Sequence, residues 1–190
     1  MRQRSADMDV LTPEQRQLNM SRIRGRDTKP ELLLRRGLHA AGFRFRLHAP
    51  DLPGRPDILF PRFRAAILVH GCFWHGHDCP LFKMPATRRE FWANKICANR
   101  ERDKRTAAAL LAHGWRILTV WECSLKGPGR QPLPAIIDRC AAFIRGKAQR
   151  AVLSGRKVRK IRSTTSSSAD QRSTSSEVTA GADLDTHVRL

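Results

Sequence analysis

The chain has 190 residues, of which 36 are lysine or arginine and 17 are aspartate or glutamate, so its formal net charge is +19. This length allows one domain with a tail, and a hydrophobic content of 41% excludes a wholly disordered chain. The charge favours a polyanionic partner, and nucleic acid before an anionic membrane surface. The N-terminus lacks the apolar core of a secretory signal and no apolar run could span a bilayer, so we expect a cytoplasmic protein.

Capping residues and glycines predict four helices, because Ser or Thr followed by Glu or Gln three residues later caps a helix and glycine ends one. They start at Thr12, Thr28, Thr87 and Leu133, and they end near Gly25, Gly42, Gly114 and Gly146. The Thr28 and Thr87 starts each have the capping-box pattern.

Apolar runs between these helices predict strands at 43–47, 57–60, 65–69 and 115–121. The turn at 61–64 predicts a hairpin, and the order strand, helix, strand that follows predicts a parallel crossover. The expected fold is therefore α/β, a small mixed β-sheet flanked by helices. We expect residues 1–27 to form an N-terminal helix or arm, 28–146 the main domain, and 147–190 a basic, Ser/Thr-rich tail that is disordered from about residue 155.

The segment from His70 to Cys79 holds three histidines, two cysteines and an aspartate. Zinc prefers four tetrahedral nitrogen or sulfur ligands, and Cys72, His77 and Cys79 could surround one ion. Cys123, at the end of the last predicted strand, is the candidate fourth ligand. His70 and His75 then stay free for acid–base chemistry near neutral pH. The alternative is a loop of unligated residues.

Asp57 opens a strand, and a carboxylate there could hold a hard cation such as Mg²⁺. A Pro-Asp pair at this position, with a second strand about ten residues later, is the layout of the PD-(D/E)-x-K nuclease fold. That fold usually carries an acid and a lysine on its second strand, whereas this strand ends Leu68-Val69-His70. Either the chain is no nuclease, or a backbone carbonyl binds the metal and histidine does the acid–base work.

Five segments in order, GRPD, HGCFWHGHDC, FKMPATRREFW, ANRERD and GWRILTVWEC, resemble the very-short-patch-repair DNA mismatch endonucleases. The resemblance runs from about Asn19 to Cys123. It implies a restriction-endonuclease-like fold with a structural zinc site. The activity it implies is nicking of one strand of duplex DNA beside a T:G mismatch, the product of 5-methylcytosine deamination.

The resemblance also implies a role for each matched residue. Asp57 and the main-chain carbonyl of Val69 would bind the catalytic Mg²⁺, and His75, oriented by Asp103, would activate the attacking water. His70 and Glu31 would hold water on the metal or assist the leaving group. The structural zinc ligands would be Cys72, His77, Cys79 and Cys123. Gly76 and Asp78 stand where the family tends to have further histidines, so the choice between His75 and His77 as the zinc ligand stays open.

Aromatic and polar residues gain DNA-binding roles from the same resemblance. Phe73, Trp74, Trp92 and Met20 would wedge between base pairs beside the mismatch, where stacking is already poor. Candidate phosphate or base contacts are Lys95, Asn99, Arg22, Arg24 and Arg26. The alternatives are core packing for the aromatic residues, above all for Trp92, and a solvated charged face for the cations.

Two rival interpretations remain for the chain. One is a non-catalytic zinc module that binds DNA through its basic face, and the other is a zinc hydrolase, which would need an open coordination position. The expected partners are T:G-mismatched double-stranded DNA and mismatch-repair proteins, with no membrane partner, and the expected setting is the bacterial nucleoid. We take a monomer as the expected state, although the sequence does not set the oligomeric state.

Overall fold

The computed structural model describes residues 12, 14–15, 17–18 and 25–156 of the chain. Thr12 and Gln15 make the reciprocal hydrogen bonds of the predicted first cap, the Thr12 N–H donating to Gln15 Oε1 at 3.0 Å and the Gln15 N–H to Thr12 Oγ1 at 3.2 Å. Met20, Arg22 and Arg24 of the predicted N-terminal arm lie outside the described residues. Within the described part, no helix combines the length and the apolar character needed to cross a bilayer.

Three helices match the second, third and fourth predicted ones: α1 (Lys29–Ala40), α2 (Arg89–Ala112) and α3 (Leu133–Arg145). The Thr28–Glu31 capping box of α1 is present as predicted. The capping box predicted at Thr87 is wrong, because α2 begins after Arg88, which has a left-handed φ of 52° and makes no side-chain cap. An N-cap residue needs an extended backbone to aim its side chain at the first turn.

Within the described residues, five strands form one mixed sheet in the order of their numbers. They are β1 (Arg46–Leu47), β2 (Ile58–Phe60), β3 (Ala65–His70), β4 (Arg116–Trp121) and β5 (Arg150–Leu153). The β2–β3 hairpin is antiparallel and the β3–β4 crossover is parallel, both as predicted. The α/β prediction is therefore confirmed.

Strand β5 lies inside the segment predicted as a tail from residue 147, so that boundary is wrong. β5 pairs in parallel with β4 at the edge of the sheet. Its sequence gave no strand signal because an edge strand of four residues buries one large side chain, Leu153, and leaves Val152 60% exposed. The folded part continues through Arg156, whose N–H donates to the Gly129 carbonyl at 2.8 Å.

Two apolar clusters cover the two faces of the sheet, as the alternation of side chains along a strand requires. One contains Ile67 and Val120 with residues of α1 and α3. The other contains Leu68 and Ile117 with residues of α2. The sheet is thus the middle layer of three, with α1 and α3 on one face and α2 on the other.

The strand directions bring the candidate site to one edge of the sheet. β3 and β4 are parallel and end side by side, with His70 opposite Trp121. β2 is antiparallel to β3, so Asp57, which directly precedes β2, lies beside the end of β3. Loops that follow the carboxyl ends of parallel strands are the usual place for a site in an α/β sheet.

Candidate functional site

A cleft of about 670 Å³ opens at this edge of the sheet. Eight of the predicted site residues line it: Glu31, Asp57, Val69, Phe73, Trp74, His75, Lys95 and Asn99. Arg102, Glu122 and Lys126 also line it and were not predicted. One cleft therefore combines carboxylates, an imidazole, aromatic rings and cations.

Asp57 is held at the sheet edge by the backbone of β3. The N–H of Val69 donates to Asp57 Oδ2 at 2.7 Å. Burial raises the pKa of Asp57 to about 6, the Val69 N–H opposes this shift, and the negative charge of Glu31 adds to it. A cation beside Asp57 would stabilise its ionised form.

Glu31 has donors on both of its carboxylate oxygens. Oε1 accepts from the hydroxyl and the N–H of Thr28, and Oε2 accepts from the Asp27 N–H and from Arg35 at 2.7 Å. Four donors fill the roughly four lone-pair sites of a carboxylate. Glu31 is 2% exposed, and its contribution to the cleft is therefore its negative charge.

Arg35 was not predicted, although its spacing of four residues from Glu31 on α1 is the signal for such a pair. Its guanidinium bridges Glu31 and Asp27 and lies 2.9 Å from His48 Nε2. Arg35 is 7% exposed, and its Nε has no hydrogen-bond partner among the described residues. Buried Glu31 and Arg35, with the more exposed Asp27, thus tie the first turns of α1 to the segment before it.

His75 and Asp103 form a hydrogen-bonded pair through His75 Nδ1. This contact leaves Nε2 as the ring nitrogen that can accept a proton when the imidazole is neutral. His70 stacks on His75 with 4.1 Å between ring centroids and 2° between planes. Burial and the neighbouring His75 lower the pKa of His70 to about 4, which keeps it neutral at physiological pH.

His70 lines a second cavity of about 390 Å³ and not the main cleft. Asp103 lines the same second cavity, and His75 lines both spaces. His75 therefore joins the two: His70 stacks on its ring and Asp103 binds its Nδ1, while Asp57 and Glu31 line the main cleft with it.

Phe73 and Trp74 of the loop, which line the cleft, form a cluster with Trp92 of α2. Phe73 packs edge-on against Trp74 and Trp92, each with centroids 5.2 Å apart. All three are partly exposed and lie outside both core clusters of the sheet. The core alternative for Trp92 is therefore wrong.

The predicted DNA contacts differ in exposure. Lys95 and Arg26 are exposed, whereas Asn99 is 6% exposed and donates from Nδ2 to the Trp74 carbonyl at 2.8 Å. Arg102 donates to Asn99 Oδ1 at 3.0 Å. The amide of Asn99 is thus occupied by protein partners.

The four predicted zinc ligands converge beside the second cavity. Their nearest ligand atoms, from Cys72, His77, Cys79 and Cys123, all lie within 4.8 Å of one another. His77 Nδ1 is 3.7 Å from Cys72 Sγ and 3.5 Å from Cys123 Sγ. Burial raises the pKa of the Cys72 and Cys123 thiols and lowers that of His77.

Two residues outside the predicted set support this cluster. The Gly155 N–H donates to Cys123 Sγ at 3.2 Å. Glu122, at the end of β4, accepts the Cys72 N–H at 3.1 Å. Of the other cysteines, Cys140 is buried as predicted from its helix, whereas Cys97 is exposed, contrary to that prediction.

Comparison with known proteins gives the chain a family. A family model described as DNA mismatch endonuclease Vsr matches residues 8–81. The type II nicking enzyme V.XorIIP of Xanthomonas oryzae pv. oryzae is 51% identical over 121 residues, which cover 64% of this chain and 89% of that protein. The DNA mismatch endonuclease Vsr of Escherichia coli K12 is 45% identical over 143 residues, 75% of this chain and 92% of the relative. The chain therefore belongs to the DNA mismatch endonuclease Vsr family and is an enzyme of the endonuclease class.

Proposed function

We propose that the chain is a Mg²⁺-dependent endonuclease that nicks one strand of duplex DNA beside a T:G mismatch and so starts very short patch repair of deaminated 5-methylcytosine. The observation that carries the proposal is the single cleft that joins Asp57 and His75, whose ring is held by Asp103, to Phe73 and Trp74. Its bacterial relatives include a DNA mismatch endonuclease. We therefore propose that it acts in the bacterial cytoplasm on nucleoid DNA.

The oxygen atoms at and beside Asp57 fit Mg²⁺, a hard cation that prefers oxygen ligands. Asp57 and the main-chain carbonyl of Val69 would hold the ion, and the charge of Glu31 favours a cation in the cleft. When bound, Mg²⁺ supplies positive charge that stabilises the negative charge developing on the phosphate. Protonation of Asp57 competes with Mg²⁺, so at limiting Mg²⁺ we expect the nicking rate to fall as the pH drops through about 6.

His75 is the proposed general base. Asp103 holds Nδ1, so Nε2 accepts the proton of the attacking water, and the carboxylate stabilises the imidazolium that forms. His70 is neutral and stacks on His75, so it does not repel the positive charge that His75 gains with the proton. His70 would assist the general base in this way.

The Cys72–His77–Cys79–Cys123 cluster fits structural zinc. Zinc–ligand bonds of ordinary length put sulfur and nitrogen atoms of a tetrahedral site about 3.5–3.6 Å apart, close to the 3.7 and 3.5 Å at His77. Four protein ligands make a closed site. This argues against the rival function of a hydrolase with catalytic zinc.

DNA binding in this proposal uses the aromatic cluster and the basic face. Phe73, Trp74 and Trp92 would separate base pairs at the mismatch, which costs a few kcal/mol and less where stacking is already poor. Lys95 and Arg26 are exposed and would contact the DNA. The proposed insertion of Met20 and the contacts of Arg22 and Arg24 remain predictions from the resemblance.

The test compares nicking of a T:G-mismatched duplex with that of the matched duplex, with and without Mg²⁺. We expect a nick in the mismatched duplex with Mg²⁺. Asp57→Ala should abolish nicking and keep DNA binding, because it removes the acidic ligand of Mg²⁺. The rate is measured by gel electrophoresis of end-labelled strands, and binding by fluorescence anisotropy.

Asp51→Ala is the matched control, because Asp51 is an exposed aspartate paired with Arg46 outside the cleft. It should nick like the wild type. Near-normal nicking by Asp57→Ala would contradict the Mg²⁺ site. Equal nicking of matched and mismatched duplex would contradict the specificity, and tight binding without any nick would favour a non-catalytic zinc module that binds DNA.

A further inference from the structure

Arg100, on α2, binds the loop that carries the proposed base, and no role was predicted for it. Its Nε donates to the His75 carbonyl at 2.9 Å, and a second guanidinium nitrogen donates to the Gly76 carbonyl. A planar guanidinium offers two donors in a fixed fork. Arg100 therefore holds two consecutive peptide groups of the loop at once.

The same turn of α2 makes two more contacts with this loop. Asn99 donates to the carbonyl of Trp74, and Asp103 accepts from the ring of His75. With Arg100, one helical turn binds three consecutive residues, 74–76, which lie between the proposed zinc ligands Cys72 and His77. These carbonyls face α2 and not a neighbouring strand, so side chains supply their donors.

Gly76 allows the guanidinium to come this close. Its φ is +58°, and a Cβ at this position would lie 2.7 Å from a nitrogen of Arg100 and 2.6 Å from Ile96 Cγ2. A side chain at residue 76 would displace Arg100 from the loop. The contact therefore needs both a glycine at residue 76 of the loop and an arginine at residue 100 of α2.

We propose that Arg100 is a positioning residue for the nicking reaction: by holding the His75 and Gly76 carbonyls it keeps His75 in register with Trp74, the proposed wedge, whose main-chain carbonyl Asn99 holds from the same helical turn. This inference rests on the proposed function, since it assumes that His75 is the base and Trp74 the wedge. It adds that α2 couples insertion at the mismatch to hydrolysis. A displacement of about 1 Å at a reacting group can cost about 100-fold in rate.

The first test separates positioning from binding. Arg100→Ala should lower the single-turnover nicking rate at saturating protein by about 10- to 100-fold and leave the half-saturating protein concentration unchanged. Arg100→Lys keeps the positive charge but loses the two-donor fork of the guanidinium, so its nicking rate should lie between those of the wild type and Arg100→Ala. The control is Arg105→Ala, an exposed arginine of the same helix that carries the same charge change and lies outside the cleft.

Nicking by Arg100→Ala at the rate of Arg105→Ala would overturn the proposal. A rise in the half-saturating concentration with an unchanged saturated rate would overturn it as well, because Arg100 would then be a DNA contact. Loss of zinc or of native melting in Arg100→Ala would assign Arg100 to folding and not to positioning.

The second test needs no nicking activity. Amide hydrogen exchange of the loop can be followed at the His75 N–H, which donates to the Gly71 carbonyl, and at the His77 N–H, which donates to the Cys72 carbonyl. Both should exchange at least about tenfold faster in Arg100→Ala than in Arg105→Ala. Unchanged exchange would refute the Arg100 contact. Faster exchange together with a wild type that fails to nick would refute the proposed function instead.

Discussion

His75 and His77 are two residues apart, and their partners give them different chemistry. His75 faces a carboxylate, Asp103, which orients its ring and favours a proton on Nδ1. His77 faces two thiols, and its ring stacks on Trp121 with 4.0 Å between centroids. The departure from the family pattern at Gly76 and Asp78 left the choice between His75 and His77 as zinc ligand open, and the geometry favours His77.

Replacing each histidine by alanine should separate these roles. His75→Ala should lower the nicking rate by about 10²- to 10⁴-fold, the usual contribution of a general base, and keep its zinc. His77→Ala should lose zinc and melt at lower temperature, because the binding energy of a structural zinc is folding energy. Elemental analysis of both purified variants gives the zinc content, and zinc loss in His75→Ala with retention in His77→Ala would exchange the two assignments.

The residues that sequence reasoning found are those whose side chains are reactive. Asp57 and His75 stand out because carboxylates and imidazoles in such motifs carry chemistry. Arg100 was missed because its partners are main-chain carbonyls, those of His75 and Gly76. Glu122 was missed because its contact with the zinc cluster is with the N–H of Cys72, whereas its pairing with Lys126 four residues later indicates only an ion pair. Every residue has main-chain groups, so no sequence pattern marks the one that is used.

At the scale of elements, strong local signals predicted helices and central strands well. α1 follows its capping box, and β3 and β4 follow apolar runs that the structure buries. The start of α2 was misjudged because the left-handed backbone at Arg88 overrides the Thr87 pattern. β5 could not be predicted, since its strand character comes from pairing with β4 and not from its own side chains.

β5 also brings Gly155 to the zinc cluster, which gives this edge strand a second role. A Cβ at Gly155 would lie 2.4 Å from the Cys123 carbonyl oxygen. Gly155→Ala should therefore displace the N–H that donates to Cys123 Sγ. Partners of metal ligands typically contribute about 10- to 100-fold to metal affinity, so we expect zinc release at least about tenfold faster.

Zinc release can be timed with a chromogenic chelator. The control is Gly25→Ala, because a Cβ at Gly25 would meet no atom of the described residues within 4 Å. Equal release from the two variants would mean that the Gly155 N–H does not support the cluster. Faster release from Gly25→Ala would point to a general loss of stability.

At the scale of the whole molecule, a mixed sheet gathers residues from distant parts of the chain at one edge. The antiparallel strand β2 places Asp57 at this edge. The parallel strands β3 and β4 end side by side, so the loop that begins after His70 lies near Cys123, which follows β4. Helix α2 packs across the sheet and binds that loop. The net charge of +19 attracts the molecule to a polyanion. The family and the charge together favour DNA as the substrate.

The segment after Arg156 should contribute to this attraction and not to catalysis. Gly155 and Arg156 both make hydrogen bonds with the folded part. A truncated protein should therefore end at Arg156 and not at Ser154, after which the sequence predicts disorder. Truncation there removes the four cations of the basic stretch, Lys157, Arg159, Lys160 and Arg162, together with Arg172, Arg189 and the four carboxylates of residues 170–185. Each phosphate contact adds about 0.9 to the slope of log affinity against log salt, so the truncated protein should bind matched duplex with a slope shallower by up to about 3–4. Nicking of the mismatched duplex should persist.

Two outcomes would contradict this prediction. An unchanged slope of log affinity against log salt would mean that these cations do not contact DNA, and loss of nicking would make residues 157–190 part of the catalytic fold.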